Sequence, residues 1–455
     1  MVSKRAYRRV KVNSVDVNQL LAKAKGVAKV SLGLDIGKLE IVACLRWGQE
    51  QFEHPWSVKN PSEIDALVEL CVELSSTCEI VVSMESTGTY GDAVRRALTV
   101  AKIPVMRVSG KHVFDYKEIF DGVPSQHDGK DAAMIAELAA NGKGASWNYV
   151  TDTEELSSIR YHVKSMGNAK NEFVRLIGQL EASVTRHWPE LTGELKLTSS
   201  TALKLLSMYG SPAEAGKNKD LEKQLRTWGA KFEPLKIERI ADAARSSAGI
   251  PADSYEMLWM QDLATQAIVA NQKAKRCAKC IEKILLQDAF WCNYIKPVGA
   301  GTLGVLLTTV GDLRNFPNGG SLLKALGLNL KERSSGKRKG ELAITKRGPS
   351  QARRWLYYWA LRAVQTEELK EWYFRFHATE PGQPSIGHRK RKGLICMMRK
   401  LSRSLRHSVC NGVPFDYQKV VDQPKPIKRK RRRRVKKPVA AYPAETTPEK
   451  TKTEE

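Results

Sequence analysis

The stretch Val30-Ser31-Leu32-Gly33-Leu34-Asp35-Ile36 alternates apolar residues with small or polar ones, the period-two pattern of a β-strand. Successive strand side chains point to opposite faces, so Asp35 faces away from Leu34 and Ile36. Gly37-Lys38 reads as a turn, and Glu40 to Trp47 as the returning strand of a hairpin. Further on, the pattern predicts a helix over Ser62 to Leu74 and a strand over Glu79 to Met84, with Glu85 at its C-terminal end. Ser86-Thr87-Gly88-Thr89-Tyr90 then turns into a helix through Ala101, followed by a short strand around Val105. Strands alternating with helices from Lys29 to about Val150 predict an α/β domain.

Four acids in this domain carry candidate chemistry: Asp35, Glu85, Asp128 and Asp131. The first two sit on strands and can converge. Asp128 and Asp131, three apart at a predicted helix start, face the same side. Mg2+ takes hard oxygen ligands and is held by a few carboxylates beside a phosphate. Such ions stabilise the attacking and leaving oxygens of an in-line displacement. Each acid alone has an ordinary reading, Asp131 as a helix-cap acid and Glu85 as a surface residue before a turn. The ordered set predicts a site for Mg2+, with Mn2+ as a substitute.

From Thr151 to about Gln287 the chain reads as mostly helical. Leu156, Val163, Ile177 and Val184 repeat by sevens with a break at Lys170, and Ile159, Met166, Phe173 and Leu180 repeat without one. Met260, Leu263, Ala267, Ala270, Ala274, Cys277, Ile281 and Ile284 follow 3,4 spacing. Two such seams predict long helices packed as a coiled coil, either antiparallel within the chain or between protomers. Gly210 to Pro234, charged and glycine-containing, reads as an insertion. Cys277-Ala278-Lys279-Cys280 has no second Cys or His pair at zinc spacing, and Cys277 falls on the seam.

After Trp291, the Gly299-Ala300-Gly301 turn between apolar segments resembles a helix-hairpin-helix element. Its backbone N–H groups would hold a phosphate at a helix N-terminus. Beyond Leu330 comes a basic loop, Arg333-Ser334-Ser335-Gly336-Lys337-Arg338-Lys339-Gly340, then Ile344-Thr345-Lys346-Arg347-Gly348. Lys337, Arg338, Lys339, Lys346 and Arg347 would bind phosphate oxygens, with Arg the better bidentate partner. A serine hydroxyl is a weak nucleophile that needs a base, a metal or charge-stabilising donors. Residue types alone favour a loop clamping nucleic-acid backbone over a covalent role. A helix rich in Trp355, Leu356, Tyr357, Tyr358 and Trp359 follows, then a basic helix from Arg389 to His407.

The formal charge is +26 over 455 residues, the electrostatic footprint of a polyanion partner. Residues 425 to 437 hold ten Lys or Arg and no acid, which leaves +16 for the rest. The body itself is therefore basic. Its tail would bind polyanions nonspecifically or serve as a solvated extension. Eight scattered cysteines read as reduced thiols of a cytosolic protein. No apolar run of 18 or more residues predicts a membrane span, and the basic N-terminus lacks the apolar region of a signal peptide.

In Gly33-Leu34-Asp35-Ile36-Gly37-Lys38, Met84-Glu85-Ser86-Thr87-Gly88-Thr89-Tyr90 and Asp128-Gly129-Lys130-Asp131-Ala132, the chain resembles the DEDD-type insertion-sequence transposases, described as bridge-RNA-guided recombinases. Pro297-Val298-Gly299-Ala300-Gly301, Ser334-Ser335-Gly336 and Ile344-Thr345-Lys346-Arg347-Gly348 extend the likeness through residue 365. The resemblance implies an RNase H-like (RuvC-like) α/β domain whose metal site is Asp35, Glu85, Asp128 and Asp131. It implies a mainly α C-terminal transposase domain in which Ser335, or else Ser334, attacks DNA and becomes covalently attached. It also implies that dimers assemble into a tetramer with composite sites, and that a structured guide (bridge) RNA pairs with target and donor DNA. A cytoplasmic, nucleoid-associated prokaryotic protein is expected.

The expected division is a basic arm over 1–28, the RuvC-like domain over 29–150, a helical coiled-coil region over 151–290, the transposase domain over 291–415 and a disordered basic tail over 416–455. The basic arm and the tail extend beyond the usual core of the family, and Pro297-Val298-Gly299 replaces its more typical Pro-Gly-Ile. Two other readings stay open: a metal-dependent junction nuclease without a serine nucleophile, and a non-catalytic nucleic-acid-binding protein.

Overall fold

The structure, a computed structural model, describes residues 8–48, 51–86, 88–123, 127–229, 232–335, 338–376 and 386–421. The chain divides into two compact units, Met1–Thr151 and Asp152–Glu455. The first is mixed α/β and the second mostly helical.

The first unit holds β1 (Val10–Lys11), α1 (Val17–Ala24), β2 (Lys29–Ile36), β3 (Glu40–Arg46), β4 (Trp56–Lys59), α2 (Ile64–Ser75), β5 (Glu79–Glu85), α3 (Asp92–Val100), β6 (Val105–Val108), α4 (Gly110–Asp121), α5 (Asp128–Ala140) and β7 (Ala145–Ser146). The strands form one sheet in the order β1-β4-β3-β2-β5-β6-β7. β2, β3 and β4 are an antiparallel meander, while β5 pairs parallel to β2 and β6 parallel to β5. This is the mixed α/β sheet that the alternating strands and helices predicted. The apolar half of each strand faces α1, α2 and α3, where Leu32, Leu34 and Met84 pack with Leu20, Leu67 and Leu98. The other face, built from smaller residues, takes α5: Val42 and Cys44 meet Ala132 and Ala133.

Residues 10–24, expected as part of an arm, instead complete this sheet. Val10 pairs with Trp56, and α1 buries Leu20 and Ala24 in the core. Asp16 caps α1 by accepting from the Gln19 N–H at 3.1 Å. The basic residues there hide a short amphipathic helix that packs against α2.

The second unit begins with α6 (Glu154–His187), then five short helices, α7 (Pro189–Glu194), α8 (Ser200–Tyr209), α9 (Pro212–Gly216), α10 (Leu221–Trp228) and α11 (Pro234–Arg245), and α12 (Ser254–Gln287). It continues through α13 (Cys292–Val298), α14 (Ala300–Thr309), α15 (Gly319–Ala325), β8 (Leu330–Ser335), β9 (Arg338–Ile344), α16 (Ser350–Ala363), α17 (Glu367–Phe374), α18 (Ile386–Asn411) and α19 (Gln418–Val421).

α6 and α12, 34 residues each, pair within the chain. Ile159, Val163 and Met166 share a core with Cys277, Ile281 and Leu285, whereas Leu176, Leu180 and Val184 share another with Met260, Leu263 and Ala267. The beginning of one helix thus meets the end of the other, which makes the pair antiparallel. Within it the heptads drift. Leu176 is buried where Phe173 and Ile177 are only partly so, and Leu285 rather than Ile284 is buried in α12. A straight helix turns every 3.6 residues, so a strict seven-residue seam slips around it.

Two segments expected to be peripheral belong to cores. Residues 210–234, read as an insertion, supply Ala215, Leu221 and Leu225 to the core at the α7–α11 end. Residues 416–421, assigned to the tail, include α19 and join the core: Val420 is buried, and the Tyr417 hydroxyl donates to the Pro297 carbonyl at 2.5 Å. The tail from 422 onward, Lys428 to Lys437 included, lies outside the described residues. Cys277 is buried against α6, and all eight cysteines are free. No helix among the described residues is long and apolar enough to cross a membrane.

Candidate active site

Asp35 and Glu85 end neighbouring parallel strands. Leu34 of β2 pairs with Met84 of β5, so the next residue on each comes side by side at the same end of the sheet, Asp35 still paired with Val42 of β3 and Glu85 with Val108 of β6. The carboxyl ends of parallel strands are where α/β folds place their sites. Asp128 and Asp131 lie in the first turn of α5, which crosses the same face. The helix cap is His127, whose Nδ1 accepts from the Gly129 N–H at 3.1 Å, so neither aspartate caps the helix.

Small residues set how closely α5 approaches. A Cβ at Gly33 would lie 2.0 Å from the Ala132 carbonyl oxygen, a distance no side chain tolerates. On either side of that notch, Ser31 Oγ donates to the Ala136 carbonyl at 3.0 Å, and Ser83 Oγ donates to Ile135 at 3.3 Å and Leu32 at 3.2 Å. Ser31, Gly33 and Asp35 alternate along β2 and share one face with Ser83 and Glu85 of β5. The polar alternation that marked Asp35 in the sequence is thus the seat of the helix carrying its partners. Lys130 of α5 is fully buried and donates to Asp121 Oδ1 at 2.6 Å and to the Val123 carbonyl, tying α5 to α4.

Electrostatics join the four acids. Burial pushes the Asp35 carboxyl up from 3.8 to about 6, and the charges of Asp131, Asp128 and Glu85 push the same way against Lys117. Glu85 is also raised, first by burial and then by Asp131, with Lys117 opposing. Lys117 Nζ lies 3.1 Å from Asp131 Oδ1 and donates to Oδ2 at 3.2 Å. Arg9 bridges Asp128 to Glu40, with its Nη1 2.7 Å from Glu40 Oε2. Neither cation was visible as a site residue in the sequence. Both come from distant segments, and isolated basic residues carry no positional signal.

Asp131 Oδ1, buried, has the Lys117 ammonium 3.1 Å away but no hydrogen bond of its own, and a Cβ at Gly110 would lie 1.9 Å from Glu85 Oε1. The acids therefore bring hard carboxylate oxygens together close against backbone, the donor chemistry of Mg2+. With Lys117 and Arg9 reaching in, no group of three or more His, Cys, Asp or Glu side chains among the described residues is arranged to hold a metal ion. The oxygen donors fit; the present side-chain arrangement answers to the cations.

The serines belong to the second unit. The expected basic loop is a hairpin: β8 pairs antiparallel with β9, with Ser335 opposite Arg338 and a register shift between Arg333 and Ser335. Gly336 and Lys337, between the strands, lie outside the described residues. Alternating Leu330 and Ile344 with polar neighbours left the pairing hard to read, because the hairpin has little apolar face of its own. At its base, Lys346 adopts φ 57°, and its N–H donates to the Gly327 carbonyl at 2.9 Å. A non-glycine residue there costs energy unless its surroundings hold it. Arg353 does so by donating to the Gly348 carbonyl at 2.7 Å and to Leu326 at 3.2 Å. Lys346 and Arg347 are exposed.

Gly299 separates α13 from α14 with φ 89°. A Cβ at Gly301 would lie 2.7 Å from the Trp355 ring, so this turn needs both glycines for conformation and for close approach.

Two family models match in the order these features occur. One, a DEDD-type model described as "Transposase", matches residues 32–189 and spans all four acids. The other, described as "Transposase IS116/IS110/IS902 family", matches residues 293–374 and spans the glycine turn and both serines. The chain is also 25% identical over 249 residues to "Insertion element IS110 uncharacterized 43.6 kDa protein" of Streptomyces coelicolor, covering 52% of this chain and 61% of that relative. It thus spans about three fifths of the length of the relative it matches.

Proposed function

The chain belongs to the DEDD-type insertion-sequence transposases, and we propose that it is an RNA-guided DNA recombinase that moves such an element through a covalent phosphoserine intermediate. The observation that carries this reading is the convergence of Asp35, Glu85, Asp128 and Asp131 at one sheet edge, in a chain whose second matched segment contains Ser334 and Ser335. The RuvC-like domain over 29–150 supplies the acids, and the transposase domain over 291–415 supplies the serine.

Asp35, Glu85, Asp128 and Asp131 would hold Mg2+, or Mn2+ in its place. When bound, the ion supplies charge stabilisation at the phosphate. Ser335 Oγ forms a bond to phosphorus as the bond from phosphorus to the leaving strand oxygen breaks. The serine proton ends on that oxygen as a hydroxyl. A strand hydroxyl then attacks the phosphoserine and regenerates the serine, so bond energy is conserved and no ATP is consumed. Gly299, Gly301, Lys337, Arg338, Lys339, Lys346 and Arg347 would contact backbone phosphates of target and donor DNA or of the guide RNA, which carries sequence choice.

The full chain, incubated with guide RNA, Mg2+ and end-labelled target DNA, is expected to form a denaturant-resistant DNA adduct. Ser335→Ala should lower its rate on the order of a thousandfold or more. An adduct persisting in both Ser335→Ala and Ser334→Ala would falsify the serine assignment. The acids are grouped within the first unit alone, which also suits a hydrolytic junction nuclease. That enzyme would cleave normally as Ser335→Ala and fail as Asp35→Asn.

A further inference from the structure

Lys170 interrupts the apolar seam of α6 at a position where a hydrophobic residue is expected. Its ammonium instead lies over the Trp355 ring at 4.2 Å and near the Tyr358 ring at 5.5 Å, both on α16. Two further cations from α16 surround it. Arg354 Nη1 donates to Asn171 Oδ1 at 2.9 Å, and Arg362 Nη2 donates to the Val298 carbonyl at 2.8 Å. Burial, then Arg362 and then Arg354, depress the Lys170 pKa below the usual lysine range. Among the described residues no carboxylate forms an ion pair with Lys170, Arg354 or Arg362, although their neighbours Arg160 and Arg175 on the same helix have one.

The glycine turn joins the same patch. A Cβ at Gly299 would lie 3.0 Å from Arg362 Nη2, and Gly301 lies against the Trp355 ring that carries Lys170. The first amides of α14, at Ala300 and Gly301, have no intrahelical acceptor. Three cations are therefore held together beside unsatisfied N–H groups without a compensating acid. A cation–π contact stabilises one ammonium and does not account for two guanidiniums beside it. What the arrangement lacks is an anion, and Arg354 and Arg362 are exposed enough to receive one.

We propose that Lys170, Arg354 and Arg362, with the Gly299–Gly301 turn, form a phosphate pocket that grips the backbone of a bound nucleic-acid strand. The two arginines offer planar forks to phosphate oxygens, and Lys170 contributes a point charge from below. The inference rests on the reading of this chain as an enzyme of nucleic acids, but it concerns binding and not strand chemistry.

The test is equilibrium binding by the full chain, in EDTA, to a labelled random-sequence DNA duplex and to a labelled structured RNA, across a KCl series. Lys170→Met and Arg362→Gln should each weaken binding to at least one probe by roughly 3- to 10-fold. On the probe that each weakens, the slope of log affinity against log salt should also flatten, by about 0.9 where that probe is duplex DNA. Lys170→Arg should keep the wild-type slope. Thermal melting monitors folding, and the exposed Arg354→Gln provides a variant outside the core if Lys170→Met does not fold. Loss confined to one probe identifies which strand occupies the pocket. Unchanged affinities and slopes on both probes, with wild type binding normally, overturn this proposal alone. Failure of wild type to bind either probe overturns it together with the recombinase reading.

Discussion

Asp35 carries the sharpest consequence at the scale of a single residue. Its carboxyl is raised from 3.8 to about 6, so the folded state binds a proton that the unfolded chain has released between those values. That contribution to stability is complete below pH 3.8 and is lost as pH rises through 6. Above it, the ionised, partly buried group opposes folding by on the order of 1–2 kcal/mol once solvent screening is allowed for. Asp35→Asn should therefore melt higher than wild type at pH 7.5, with the gap closing near pH 4, while losing strand cleavage. A lower melting temperature for the variant at pH 7.5 would refute the crowding of charge at this edge. The same residue shows how far a sequence can be read. Alternation identified Asp35 and placed Glu85 at a strand end, whereas Lys117 and Arg9, which neutralise Asp131 and Asp128, carried no local pattern.

At the scale of the element, α5 depends on its seat. Its approach to β2 allows no side chain at Gly33, and two serine hydroxyls bond its backbone carbonyls. Gly33→Ala should force the helix outward at a cost of about 2–3 kcal/mol in urea unfolding, and should lower cleavage although every acid remains. Ser83→Ala, which removes donors without adding bulk, should cost about 1 kcal/mol. If Gly33→Ala matched wild type in both stability and rate, the tight crossing would be wrong. Glycine in a strand signals a bulge or a close backbone approach, but which element approaches is set by a contact a hundred residues away. The heptads of α6 and α12 were legible because apolar spacing is local. Their phase was not, since the burial of Leu176 and Leu285 depends on where the partner helix crosses.

At the scale of the whole molecule, acids and serine lie in different compact units, and the family reading has protomers complete one another's sites. Mixing Asp35→Asn chains with Ser335→Ala chains should restore adduct formation that neither shows alone, since one supplies the hydroxyl and the other the metal ligands. Adduct absent from mixtures and from co-expressed chains would exclude sharing between protomers. The α6–α12 pair closes antiparallel within one chain. Ile281→Ala, deep in their shared core, should cost roughly 2–5 kcal/mol on unfolding.

Period-two and period-3.6 patterns, together with the order of short motifs, were enough to predict an α/β domain, a helical remainder and the positions of the four acids, and net charge alone pointed to a polyanionic partner. These are local in the chain, where side-chain spacing alone determines which face a residue occupies. Tertiary structure decided that residues 10–24 and 416–421 join cores, that the basic loop is a hairpin, and that Lys117 and Arg9 guard the acids. It also brought Arg354 and Arg362 near Lys170. Such contacts bring together residues far apart along the chain, and their energies depend on distance in space, which no spacing in sequence encodes.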